Sequence, residues 1–202
     1  MTMTMAEQNV ARYKEVFKDH IATLTDAGSI KIVDFKRPGS NEFRLRFLFE
    51  EDYCKLHISG DMGNLTASNH SNMVYSKFEK DFVHNVSYFT GKIDSCDRSL
   101  YYYDKDSARR FLQEQFAYEH FGDDDEESDR ILEEKITEIL QDFDDEKGLS
   151  ESGFEVLKDL DSDAWEYAHT VGRERTGILE IYLLAFDMAW MQLHPQKDEV
   201  TA

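Results

Sequence analysis

The chain has 202 residues, 41% of them hydrophobic and 13% aromatic, enough to bury the core of one domain or two small ones and too apolar for a disordered chain. Its net charge of −19 argues against nucleic-acid binding, because such a field repels phosphate backbones and draws basic protein surfaces, although plain solubility also fits it. Cys54 and Cys96 stand in no metal or redox spacing and read as reduced core thiols of a cytoplasmic protein. Residues 1–8 lack the basic start and apolar run of a signal peptide, and the longest apolar stretch, 177–193, is short for a bilayer span and interrupted by Glu180 and Asp187.

The elements follow in chain order. Apolar spacing predicts a helix over 7–24, with Val10, Tyr13, Val16, Phe17, Ile21 and Leu24 on one face, ended by Asp26-Ala27-Gly28. A strand over 29–37 follows, then a turn at Pro38-Gly39-Ser40-Asn41. A second strand over 42–50 alternates cleanly, with Phe43, Leu45, Phe47 and Phe49 opposite Arg44 and Arg46. After Glu51-Asp52 a third strand, opening at Tyr53, runs into a turn holding Asp61 between Gly60 and Gly63. The polar face of this meander carries Arg44, Arg46, Lys55 and His57. They form either a small basic patch or a solvated face paired with local acids.

Leu65 to His70 adds a short fourth strand. A helix over 73–92 then carries an apolar stripe from Val74 to Ile93, and beside it Asp81, Asn85, Tyr88 and Lys92, a set that would meet the Asp61 turn. Residues 97–104 read as an extended link or edge strand, and Asp104 or Asp106 caps a helix ended by Gly122.

Charge divides the chain. Residues 1–104 carry a net of −2 and residues 105–202 a net of −17, with 18 acids against 4 Lys/Arg between 122 and 163. Ile131, Leu132, Ile136, Ile139, Leu140 and Phe143 keep helical period through this acidic stretch. Ser152 with Glu155, and Asp163 with Glu166, have the spacing of capping boxes. The last helix, 176–194, is apolar nearly all round, which suits the central helix of a C-terminal part or a homodimer seam. The expected fold is therefore α+β: an N-terminal helix and an antiparallel three- to four-stranded meander covered by helices (1–121), then an acidic all-helical domain (122–202).

Chemical motifs are few. An EF-hand register starting at Asp142 places Lys147 where the loop needs glycine and Gly153 where it needs glutamate, so no calcium site is read. Glu180 and Asp187, two helical turns and roughly 10 Å apart, lack a second pair of ligands. No cofactor or metal is expected. One acid–base constellation stays open: His57, Asp61, Tyr88 and Lys92 around an RNA phosphate.

The runs Leu56-His57-Ile58-Ser59-Gly60-Asp61-Met62-Gly63, Asn85-Val86-Ser87-Tyr88-Phe89-Thr90-Gly91-Lys92 and Leu100-Tyr101-Tyr102-Tyr103-Asp104 resemble a module of small prophage and plasmid proteins of Gram-positive bacteria, some of them anti-CRISPR proteins acting on the type II effector nuclease. The likeness covers roughly residues 10–112. It implies a cytoplasmic inhibitor, in a bacterial host, of that effector or its guide RNA, with Gly60, Asp61, Gly63, Asn85, Tyr88, Phe89 and Lys92 as the shared residues. These residues also fit a purely structural role in shaping the turn and tying the helix to it. The acidic stretch (Asp123, Asp124, Asp125, Glu126, Glu127, Glu134, Glu138 and Asp142) would then imitate a nucleic acid in the effector's basic channel. Truncation of the guide RNA, and binding of another basic partner, are the alternatives.

Overall fold

The computed structural model describes residues 3–117 and 126–195. The chain divides into two compact units, residues 1–100 with 176–202, and residues 101–175. This differs from the expected division at 121. The last helix belongs with the N-terminal sheet, and the second unit starts at Tyr101 rather than at residue 122.

The first unit is built on a six-stranded antiparallel meander in sequence order: β1 (Ile21–Ala27), β2 (Ile30–Lys36), β3 (Leu45–Glu50), β4 (Lys55–Gly60), β5 (Leu65–Ser68) and β6 (Ile93–Cys96). The sheet is larger than the three or four strands expected, because β1 and β6 join it. Helix α1 (Met5–Phe17) opens with a Thr4–Glu7 capping box, Glu7 N donating to Thr4 Oγ1 over 3.2 Å and Thr4 N to Glu7 Oε2 over 2.9 Å. It ends seven residues before the expected Leu24. His20 ends it, with its ring packed at 5.1 Å from both Phe17 and Phe35 and its Nε2 3.1 Å from the Phe43 carbonyl. Ile21 and Leu24 then pair with Lys36 and Val33 in β1–β2.

Register puts Val33, Phe35, Leu45, Phe47, Phe49, Leu56, Ile58, Leu65 and Ala67 on one face, and all are buried. Helix α7 (Ile178–Leu193) lies in this core. Its Phe186 ring packs at 5.2 Å from Phe47, 5.8 Å from Phe49 and 4.8 Å from Phe78. The apolar character of α7 is thus accounted for by burial within the first unit. Each fully buried Phe contributes about 1.5–3 kcal/mol, so this aromatic cluster is a large part of what holds sheet and helix together.

The helix expected over 73–92 is broken into α2 (Tyr75–Phe78), a π turn (Glu79–Val83) and α3 (Val86–Thr90). The breaks let Phe78, Phe82 and Phe89 all reach the core, with Asn85 capping α3 by accepting from Tyr88 N over 3.0 Å.

The second unit has its own core of Leu112, Phe116, Ile136, Ile139, Leu140 and Leu157. It contains α4 (Lys105–Ala117), α5 (Glu126–Ile139) and α6 (Glu151–Leu160). It is not all-helical: β7 (Tyr101–Tyr103) pairs with β8 (Arg173–Arg175), so its first and last residues are cross-strand neighbours. Asp104 caps α4, its Oδ1 accepting from Ser107 N at 2.7 Å. Ser150 rather than Ser152 caps α6, accepting from Gly153 N at 3.0 Å, and Asp163 makes no capping bond. The unit carries 24 acids against 9 Lys/Arg, and the first unit 18 against 14.

Candidate functional site

The Gly60–Gly63 turn forms one wall of a cleft in the first unit. Gly60 has φ of 152° and lies so close to the Arg44 backbone that a Cβ would stand 1.9 Å from its carbonyl oxygen. Gly63, at φ 110°, leaves room for Asp97 and Arg98. Both glycines are therefore required by sterics. Asp97 accepts from Asn64 N and Nδ2 at 2.8 Å each, and these bonds hold its carboxyl below the usual carboxylate range. The Met62 carbonyl accepts from Tyr182 Oη at 3.0 Å and Arg98 Nε at 3.3 Å; burial pushes the Tyr182 phenol well up.

The cleft, about 600 Å³, is within the size range of small-ligand sites. Tyr13, Phe43, Met62 and Ile181 make its apolar wall, and Glu42, Asp61 and Arg98 supply charge. Phe43 holds a left-handed backbone (φ 56°), which costs a bulky residue about 1–3 kcal/mol. The strain is held in place by His20 on its carbonyl and by the Tyr13 ring edge-on at 6.0 Å. Asn9, Ser99 and Thr176 add uncharged polar groups to its lining. The sequence motif pointed to Asp61, but Phe43, Glu42 and Arg98 gave no signal of their own.

The four residues of the acid–base constellation do not converge. Asp61 follows the C-terminal end of β4. Tyr88 Oη accepts from Asn69 Nδ2 at 3.2 Å, and Asn69 N donates to the Cys54 carbonyl at the opposite end of β4, roughly 20 Å of strand away. Lys92 Nζ stands 4.9 Å from the centre of the Tyr88 ring. Asn72 Nδ2 donates to Asp81 Oδ2 at 2.7 Å and bonds Asn69 in turn, so these polar residues tie the 69–72 loop to the broken helix. Asn85 is used as the α3 cap.

His57 lies on the uncovered sheet face, its Nε2 2.7 Å from Glu50 Oε1. On the same face Asp34 takes a two-pronged bond from Arg46, Nε to Oδ1 at 2.7 Å and Nη2 to Oδ2 at 2.9 Å. Lys55 pairs in register with Glu50. Two of the four patch residues, Arg46 and His57, are thus paired with local acids.

In the second unit, Glu127 and Glu134 flank Arg130 at 2.6 and 3.4 Å, and Glu138 meets Lys135 at 2.8 Å. Asp142 is exposed. Asp123, Asp124 and Asp125, and the Glu126 side chain, lie outside the described residues. Asp144 accepts from Glu146 N and Lys147 N at 2.8 and 2.9 Å, a backbone turn in place of a calcium loop. Trp165, 66% exposed, stands between Asp163 and Glu166 on a single 3-10 turn. Sequence reading passed over it, because nothing in the residue pattern distinguishes a surface tryptophan from a core one.

Among the described residues no helix is long and apolar enough to cross a membrane. No protein-family model, curated protein or solved structure matches the chain.

Proposed function

We propose that the protein is a binding protein for a strongly basic surface, and that its partner is a type II CRISPR effector nuclease whose nucleic-acid channel the acidic unit occupies. The observation that carries the reading is the charge of the second unit, net −15 over residues 101–175, in a unit with a core of its own. Folded helices hold carboxylates at fixed spacing, as a polyanion does, and such a surface associates fast and in a salt-sensitive way. Trp165 adds an exposed aromatic anchor inside the acidic rim, the composition that dominates binding energy at protein interfaces. The choice of effector rests on the resemblance of residues 56–63, 85–92 and 100–104 to the prophage module. Inhibition by occupancy is favoured over guide-RNA cleavage because His57, Asp61 and Tyr88 are spread over separate sites.

The test mixes the whole protein with effector and guide RNA at about 0.05 M and about 0.5 M salt. A complex at low salt that weakens at least ~10-fold at high salt is expected, with the guide RNA intact on a gel. Trp165→Ala is expected to weaken it a further ~10- to 30-fold, about 2 kcal/mol. Absence of any complex at low salt rejects the reading. Shortened RNA would move the function to guide-RNA cleavage.

A further inference from the structure

Three side chains from two distant parts of the sequence meet on the first unit. Glu79 opens the π turn, His84 follows it, and Asp187 lies midway along α7. A π turn closes on i→i+5 bonds, so it stacks residues five apart that a 3.6-residue α-helix would send to different sides. One donor atom from each of the three lies within 4.8 Å of the others. His84 Nε2 is 3.7 Å from Glu79 Oε1. Donors held at about 2.0–2.2 Å from one ion stand at most ~4.4 Å apart, so this pair already fits the span and small side-chain rotations bring in the third.

The surroundings suit an ion. Glu79 and Asp187 are half-buried while His84 is exposed, which leaves an approach from solvent. The charges of Glu79 and His84 both act on Asp187, so a half-buried carboxylate faces a second one across the cluster. A cavity of about 250 Å³ adjoins it, walled by Val83, Val86, Leu183 and Leu184, with His84, Glu180 and Asp187 also in its lining. It has room for the waters that complete a coordination shell.

We infer that Glu79, His84 and Asp187 form a site for a first-row divalent cation of the zinc type, which clips the π turn to α7. One imidazole nitrogen with two carboxylate oxygens selects such an ion over calcium or magnesium, which take all-oxygen shells. Three protein ligands leave a further position for water. Because the ligands come from elements about a hundred residues apart in the chain, metal binding adds directly to the stability of the folded unit.

The test titrates the chelator-treated full chain with ZnCl2 in excess MgCl2, the magnesium occupying the scattered surface carboxylates. One zinc per chain and a raised Tm are expected, with CoCl2 giving visible ligand-field bands. His84→Gln changes an exposed residue and Asp187→Asn keeps the side-chain shape. Each is expected to leave the metal-free circular dichroism unchanged and to weaken zinc at least ~10-fold. Zinc no tighter than magnesium, or zinc binding untouched by His84→Gln, would overturn the assignment and leave an ordinary Glu79–His84 ion pair.

Discussion

The two units solve the same problem with different means. The first buries a six-stranded sheet against α7 through interlocked rings, and its near-balanced charges pair locally, as Arg46 with Asp34 and His57 with Glu50. The second folds three helices and a two-stranded ladder around a smaller core while carrying most of the negative charge. Charge is therefore a local detail in the first unit and a global load in the second. The proposed binding of a basic partner would offset that self-repulsion.

Four perturbations separate the units, from the largest effect to the smallest. Gly60→Ala drives a Cβ into the Arg44 backbone, which no side-chain rotation relieves, and is expected to cost the first unit more than ~4 kcal/mol in urea unfolding. Ile136→Ala empties a fully buried position of the second core and should lower that unit's transition by about 2–5 kcal/mol, with exchange protection of β2–β4 amides retained. Loss of protection in both units together would erase the distinction between them. Raising NaCl from about 0.05 to about 0.5 M should slow amide exchange in α5 and α6 and leave the sheet unchanged, since screening relieves repulsion only where charge is unbalanced.

The smallest effect is one of pH. Burial holds the His20 imidazole below its ordinary value, so the unfolded chain takes up its proton first. The first unit should thus keep its full stability above about pH 6.5 and lose some on acidification until the folded form also protonates. Substitution by Gln should flatten that slope, as measured by chemical denaturation across pH.

Much of the first unit was legible. Alternation at Leu45–Phe49 and Leu56–Ile58 located β3 and β4, although Phe43, expected on the same strand, lies before it in a left-handed turn. The glycine-flanked Asp61 turn marked the cleft. What failed had tertiary causes. Ile21 and Leu24 fall in helical period with Val10 to Phe17 by coincidence, and no glycine or proline stops the helix. The stop is His20, whose partners Phe35 and Phe43 are distant in sequence. The break at Glu79–Val83 is set by three phenylalanines reaching one core, which a stripe on a continuous helix also satisfies on paper. Glu180 and Asp187 were rejected for want of a second pair of ligands, and the residues that join Asp187, Glu79 and His84, become neighbours only through the π turn. Helical period at Ile131, Leu132, Ile136 and Ile139 located α5, yet nothing in the acid-rich stretch showed that α7 would return to the sheet.

The β7–β8 ladder has a consequence for ancestry. Tyr101 and Arg175 pair across it, so the 75-residue segment begins and ends about 5 Å apart, a gap that two or three residues of hairpin would bridge. Such a junction lets a whole cassette be gained, lost or exchanged without rethreading the scaffold that hosts it. Cousins of this chain are then expected to share the platform while displaying unrelated inserts at that one seam, and a graft replacing 101–175 with a tight turn should still fold.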